Sequence, residues 1–148
     1  MKFDRLFSPF SIRGVEFRNR IFSSGHQTLL AESALPTKAM AAYHEARARG
    51  GAALIVTEAT AVHETAYFNA ALPTGYLDAC IPGFRDVARA VHKHDCRIIG
   101  QLFHPGSEVS GILEDGSRPV AWGPSARHQE RYLVNVRPMP WALIEDVV

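Results

Sequence analysis

The chain has 148 residues, of which 47% are hydrophobic and 21% are charged, a composition typical of one globular domain and not of a disordered protein. Basic and acidic residues are interspersed and leave a formal net charge of +1, so no strong field attracts nucleic acid or an anionic membrane surface. We therefore expect a small-molecule substrate as partner, and neither nucleic acid nor a membrane.

Cysteine usage and the N-terminus bear on the cellular compartment. Cys80 and Cys96 fit neither a CxxC spacing nor a disulfide framework, which favours a reducing compartment and structural thiols. The N-terminus lacks the apolar core of a signal peptide, and no stretch approaches the roughly 20 apolar residues of a membrane helix. We expect a cytoplasmic protein.

The first 50 residues contain the signals of a hairpin and of one strand–helix unit. Apolar residues between Phe10 and Phe17 flank Arg13-Gly14, which predicts a short hairpin. A buried strand is predicted over residues 20–24. A helix is predicted over residues 37–49, ended by two glycines and with one face formed by Met40, Tyr43 and Arg47.

Two further units follow. Residues 52–57 form a continuous apolar run typical of a parallel strand covered on both faces, with a loop from Glu58. A helix is predicted over residues 82–94, from the apolar stripe of Phe84, Val87, Ala88 and Val91. A third strand is predicted over residues 97–103, followed by a long excursion rich in Gly, Pro and Asp over residues 105–140 and by the first turns of another helix.

Strands that alternate with helices predict a parallel sheet, either doubly wound or in a barrel, and the periodicity alone does not choose between them. Ligands of such folds gather at the carboxyl ends of the strands. The candidate residues are therefore those that follow each apolar run, namely residues 24–28, residues 58–60, and Gln101 with residues 104–106.

An ordered set of motifs spans nearly the whole chain: NRIFSSGHQT, AYHEARARGGAALIVTEA, IPGF, AVHKH and QLFHPG. As a set it resembles the NADH:flavin oxidoreductase family, which includes old yellow enzyme, 2,4-dienoyl-CoA reductase and trimethylamine dehydrogenase. The resemblance implies an α/β fold, an incomplete parallel (β/α)8 TIM barrel. Residues 1–148 would be the N-terminal part of one FMN-binding domain, with a hairpin over 1–19, a βαβαβ unit over 20–103, and a long loop and the start of the next helix over 104–148.

The same resemblance implies FMN at the barrel mouth, with NAD(P)H as a transient hydride donor. It places residues 24–27 along the isoalloxazine ring, Ala59 beside the flavin, and Gln101 at the pyrimidine edge, where an amide offers both a donor and an acceptor. The implied cofactor-binding residues are Ser24, Gly25, His26, Gln27, Ala59 and Gln101. From the residues alone, Gln101 is equally well a buried amide that satisfies loop backbone, and residues 24–27 an ordinary polar turn.

Other polar residues give weaker signals. His104 either supports the loop beneath the cofactor or caps the strand, and Glu58 is interpreted as a structural group that orients loop amides, without a role in proton transfer. His92 and His94 do not share a helix face and complete no zinc spacing, so no metal site is predicted. Catalytic residues stay unknown, because the resemblance places them beyond the third strand.

Two functions are weighed. The first is an FMN-dependent oxidoreductase, transferring hydride from NAD(P)H through flavin N5 to an electron-poor substrate such as an activated alkene, with this chain as an N-terminal segment. A whole barrel takes about 250 residues, so whether the chain alone is an enzyme is left open. The alternative is a truncated, non-catalytic fragment that associates with itself or with a complementary chain, because its third strand has an unpaired edge.

Overall fold

The N-terminal segment consists of a short helix and a hairpin. The computed structural model describes residues 3–66, 69–113 and 115–148. Helix α1 (Asp4–Phe7) precedes the antiparallel strands β1 (Phe10–Ile12) and β2 (Val15–Phe17), whose first and last phenylalanine rings stack 5.0 Å apart. Gly14 occupies the turn with φ of 80°, a backbone conformation that suits glycine. The predicted hairpin is confirmed.

The main sheet has three parallel strands. Strand β4 (Leu54–Ala61) lies between β3 (Phe22–Ser23) and β5 (Arg97–Phe103). Helix α2 (Lys38–Arg49) connects β3 to β4, and helix α3 (Ile81–His92) connects β4 to β5. The predicted third strand has the observed bounds. Within the described ranges the sheet stays open at both edges, so the fold is a partial α/β layer and not a closed barrel.

Helix α2 begins where predicted but buries a different face. Its N-terminus is capped by the side chain of Thr37, and its buried residues are Met40, His44 and Ala48, spaced four apart. The predicted face of Met40, Tyr43 and Arg47 therefore shares only Met40 with the buried stripe. Tyr43 and Arg47 are only half-buried, and the Arg47 guanidinium lies 3.3 Å from the centre of the Tyr43 ring. Because the side chain of Ala48 is small, it allows α2 to approach the sheet closely, whereas the longer side chains of Tyr43 and Arg47 would not.

The core lies between the two helices and one face of the sheet. Ile55 in β4 is fully buried, and the residues packed around it are Ala48, Ala52, Val91, Cys96 and Ile98. Helix α3 contributes its buried stripe of Val87, Ala90 and Val91 to this side of the sheet. Its observed start and end lie one or two residues before the predicted ones.

The first strand is shorter and more exposed than predicted. Only residues 22 and 23 pair with β4, and Phe22 is 61% exposed, so the prediction of a buried strand over residues 20–24 was wrong. Phe22 pairs with Leu54 and therefore shares the sheet face opposite Ile55. Among the described residues, no helix covers that face.

The second strand is longer than predicted. It continues through Ala61, so the loop expected from Glu58 is part of β4. The register with β5 is irregular between Val56 and Ala59. Glu58 is completely buried because its carboxylate is hydrogen-bonded, which allows a polar residue inside the strand.

The excursion after β5 contains its own structure. A second sheet has the order β6 (Trp122–Gly123), β8 (Val134–Pro138), β7 (Arg127–Gln129), and helix α4 (Trp141–Val147) ends the chain. A small core of Val109, Ala121 and Val136 holds this sheet. The expected long loop is therefore largely an ordered subdomain. No helix in the described part of the chain has the length and apolarity needed to cross a membrane.

Candidate cofactor site

The carboxyl ends of β3, β4 and β5 lie side by side at one end of the sheet, which we call the mouth. Ala59 of β4 is paired with Gln101 of β5 in the ladder, so the two residues share a face. Gly25 follows β3 and lies against the side chain of Gln101. Three of the six residues implied by the resemblance are thus neighbours in space.

Gly25 fits its position because it has no side chain. A Cβ at this residue would clash with Oε1 of Gln101 and would lie 2.6 Å from the backbone oxygen of Thr57. The Thr57 oxygen belongs to a sheet strand and has little freedom to move. The glycine therefore brings the loop after β3 into direct contact with β4 and β5.

Gln101 is exposed, and its side-chain amide has no hydrogen-bond partner among the described residues. Its backbone N–H donates to Oγ1 of Thr57 at 3.2 Å, which fixes the residue in the ladder. The alternative interpretation, a buried amide that satisfies loop backbone, was therefore wrong. A donor and an acceptor remain available to a ligand at the mouth.

The buried side chain of Glu58 in β4 holds the loop after β3 by hydrogen bonds. The buried carboxylate accepts hydrogen bonds from the Thr28 backbone N–H at 2.9 Å and from the Thr28 hydroxyl at 2.5 Å. Both carboxylate oxygens are used, which agrees with the interpretation of Glu58 as a group that orients loop amides. This contact holds the segment from Gly25 to Thr28 across the end of β4.

His26 is turned towards α2. The Tyr43 hydroxyl lies 2.8 Å from its Nε2 and 3.1 Å from its Nδ1, and the two rings are tilted by 56°. Ser24 and Gln27, on the same loop, are both exposed. The polar turn is thus a loop tied at two places, at His26 to the helix and at Thr28 to the strand.

His44 is a buried residue of α2 that was not identified from the sequence. The imidazole is 2% exposed, and both of its nitrogens are buried without a hydrogen-bond partner. Burial, followed by the charges of Arg47 and His26, lowers the pKa of His44 from 6.5 to about 4. The available signal was its spacing of four from Met40 on α2. His44 is therefore a neutral core residue at neutral pH.

His104 follows β5 and is half-buried. Its Nδ1 accepts a hydrogen bond from the Gly106 N–H at 3.0 Å, and its Nε2 lies 3.0 Å from the Thr65 hydroxyl. Burial, and then the nearby charge of His63, lowers the pKa of His104 below its usual range. The described residues contain no group of three or more His, Cys, Asp or Glu side chains able to hold a metal ion.

Residues 5–139 match the model of the NADH:flavin oxidoreductase / NADH oxidase family. The chain belongs to this family. It is 34% identical over 124 residues to NADH oxidase of Thermoanaerobacter brockii, with 82% of the chain and 19% of that protein covered. It is 33% identical over 106 residues to the probable N-methylproline demethylase of Rhizobium meliloti (strain 1021), with 70% of the chain and 15% of that protein covered.

Solved structures show the fold of this NADH:flavin oxidoreductase family member. The old yellow enzyme homologue from Zymomonas mobilis superposes with a TM-score of 0.80 at 24% identity, covering 96% of the chain and 41% of that protein. The predicted fold class, an incomplete parallel (β/α)8 barrel, is confirmed. The chain spans less than a fifth of the length of the two curated relatives.

The assignment of individual cofactor contacts in this family member stays a prediction. Gly25, Ala59 and Gln101 meet at the mouth, and Ser24 and Gln27 lie on the same loop as Gly25. The side chain of His26 is engaged by α2, which leaves its backbone as its expected contribution. Tyr43 and Thr57 hold these residues in place and were not identified from the sequence.

Proposed function

We propose that the chain forms the first part of an FMN site in an oxidoreductase that moves hydride from NAD(P)H to an electron-poor small molecule, such as an activated alkene. The observation that carries the proposal is the side-chain amide of Gln101, which is exposed and has no hydrogen-bond partner within the described residues. It lies at the mouth beside Gly25, where any side chain on residue 25 would overlap the amide oxygen. Membership of the NADH:flavin oxidoreductase family is the basis for proposing a flavin and a nicotinamide as the cofactors.

The residues at the mouth fit a flat, hydrogen-bonding ring. The amide of Gln101 presents a donor and an acceptor, the complement of a C=O and N–H edge. Gly25 and Ala59 are small enough to allow close approach of a planar group. When bound, the flavin would supply the hydride-accepting atom, and these residues would orient it by contacts at its edge and face.

The chemical step requires groups that we do not assign to this chain. Because its curated relatives are several times longer, the substrate, the choice of NADH or NADPH and the proton donor belong to the proposal for the whole protein. For the described residues the proposal covers binding and orientation only.

Titration of FMN into the purified chain, followed by quenching of flavin fluorescence, tests this role. Replacing Gln101 with alanine should weaken FMN binding about tenfold, the effect of losing one or two hydrogen bonds. Leu102→Ala is the matched control, since Leu102 is 76% exposed and faces the other side of the same strand. Equal affinity of both variants and the unmodified chain would contradict the proposed contact, and absence of binding would contradict an FMN site in this chain.

A second candidate function, association through β5, rests on a separate observation. Ile99 and Leu102 are 51% and 76% exposed on opposite faces of this edge strand, and a cavity of about 350 Å³ lies between the strand and α3. We propose that this edge binds another copy or a complementary chain. Sedimentation of the unmodified chain should show an assembly that Leu102→Lys dissociates, and a monomer at all concentrations would refute it.

The remaining expectations on partners and location stay proposals. A small-molecule substrate is favoured over nucleic acid or a membrane by the low net charge of +1. A cytoplasmic location is supported by the two cysteines, which are free and buried, and burial raises the pKa of both the Cys80 and the Cys96 thiol.

A further inference from the structure

A row of side-chain hydrogen bonds begins where backbone pairing between β4 and β5 ends. The last backbone contact joins the Val62 N–H to the Phe103 oxygen at 3.2 Å. Beyond it, the Thr65 hydroxyl lies 2.8 Å from Nδ1 of His63 and 3.0 Å from Nε2 of His104. Nε2 of His63 lies 3.0 Å from the Asp146 carboxylate on α4. We call His63, Thr65, His104 and Asp146 the latch.

Two backbone amides determine where every proton of the latch lies. The Gly106 N–H donates to Nδ1 of His104 at 3.0 Å, and the Thr65 N–H donates to Nδ1 of His63 at 3.2 Å. An imidazole nitrogen that accepts a hydrogen bond carries no proton, so each neutral ring has its proton on Nε2. Both rings are thereby assigned the same tautomer.

The direction of the remaining contacts follows. Nε2–H of His104 donates to the Thr65 oxygen, the Thr65 O–H donates to Nδ1 of His63, and Nε2–H of His63 donates to Asp146. All the donors point one way, from the turn at Gly106 to helix α4. Such a series has no redundant member, because Thr65 is both the acceptor for one ring and the donor to the other.

An additional proton has different effects at the two rings. On His104, a proton at Nδ1 would face the Gly106 N–H, whereas on His63 it would face the Thr65 N–H while the Thr65 hydroxyl could turn to accept it. Burial and the His63 charge both lower the pKa of His104, which keeps that ring neutral. Nε2 of His63 faces the Asp146 carboxylate, which is 71% exposed.

Acidic groups on the neighbouring elements add little to the latch. Glu64 is exposed on the short helix over residues 64–66. Glu108 accepts a hydrogen bond from Gln129, and Glu145 accepts one from Trp141. Among the described residues, Asp146 is the carboxylate hydrogen-bonded to either latch imidazole. The protonation state of His104 therefore decides whether the series is complete.

We propose that the latch is a pH-dependent device that ties the turn at Gly106 to the end of β4 while His104 is neutral and releases that turn when His104 is protonated, whereas the contact of His63 with Asp146 holds α4 in both states. His63 and His104 lie a few residues beyond Ala59 and Gln101, just after the strands that carry them. The latch is a property of the chain itself and does not depend on a bound cofactor. It is therefore tested without FMN, and its failure is separate from failure of the proposed function.

The tautomers are tested by ¹⁵N NMR of the imidazole groups of the 148-residue chain at pH 7.5. Both His63 and His104 should show protonated Nε2 and unprotonated Nδ1. Thr65→Val keeps the shape of the side chain and removes the hydroxyl, whereas Thr65→Ser keeps the hydroxyl. Hydrogen exchange of the Val62 and Gly106 amides should be about tenfold faster in the valine variant and nearly unchanged in the serine variant.

The pH dependence provides the decisive comparison. The ratio of exchange rates between Thr65→Val and the unmodified chain should be about ten above the ordinary histidine pKa of about 6.5 and should fall towards one as the pH drops through the lowered pKa of His104. Protonated Nδ1 on either ring at pH 7.5, an equal effect of valine and serine, or a ratio that is constant to pH 4 would each overturn the proposal.

Discussion

Substitution of Gly25 by alanine tests whether the mouth is built on close backbone contact. The new Cβ would lie 2.6 Å from the Thr57 backbone oxygen and would clash with Oε1 of Gln101. The glutamine side chain can rotate away, but the Thr57 oxygen belongs to β4, so the loop must move by several tenths of an ångström. Overpacking of this kind costs about 1–3 kcal/mol, and the loop would no longer reach its place beside Gln101.

Gly100→Ala is the matched control, because an added Cβ at Gly100 has no atom within 4 Å and the backbone there is extended. Urea unfolding followed by circular dichroism should show a lower midpoint for Gly25→Ala, with Gly100→Ala at or slightly above the unmodified chain. FMN affinity should fall only for Gly25→Ala. Equal midpoints for the two variants would show that the loop is not held in contact with β4, and would refute the geometry argued for the mouth.

Three further substitutions examine the groups that support the mouth. Glu58→Leu removes both acceptors and leaves the Thr28 N–H and hydroxyl without this partner, so the unfolding free energy in urea should fall by about 1–3 kcal/mol, and a neutral result would contradict the two hydrogen bonds. His44 has a pKa of about 4 in the folded chain and 6.5 in the unfolded chain, so stability that is present above pH 6.5 is lost as the pH falls towards 4, by up to about 3 kcal/mol. The melting temperature of His44→Leu should therefore vary less with pH over this range than that of the unmodified chain. Identical pH profiles for the two proteins would refute the argument from burial. Thr37→Ala should cost about 1 kcal/mol by removing the cap on the Met40 N–H, Thr37→Ser should retain it, and equal thermal stability of the two would exclude the cap.

The elements predicted well from the sequence are those set by local signals. The apolar stripe around Val87 and Val91 defines α3, and the run from Arg97 to Phe103 defines β5 with its observed bounds. Thr37 marks the start of α2 because a hydroxyl at that position caps the first turn. Each of these signals lies within a few residues of its element.

The features that the sequence did not predict depend on distant partners. The face of α2 is chosen by contact with the sheet and α3, which favours Ala48 over Arg47. The second sheet pairs short strands of the excursion around Val109, Ala121 and Val136, and no local pattern specifies that register. The network that holds the mouth joins Thr28 to Glu58 and His26 to Tyr43 across long sequence separations.

The irregular register of β4 explains how one short segment serves both packing and the cofactor mouth. From Val56 to Ala59 the strand advances three residues while β5 advances two, from Ile99 to Gln101, so β4 contains one extra residue. In a regular ladder the position after Thr57 would pair with Gln101, and Ala59 would face the helices. The extra residue instead allows Glu58 to be buried beneath the loop after β3 while Ala59 is placed on the face of Gln101. Glu58 and Gln101, the polar residues near the ends of the two apolar runs, therefore shape the mouth.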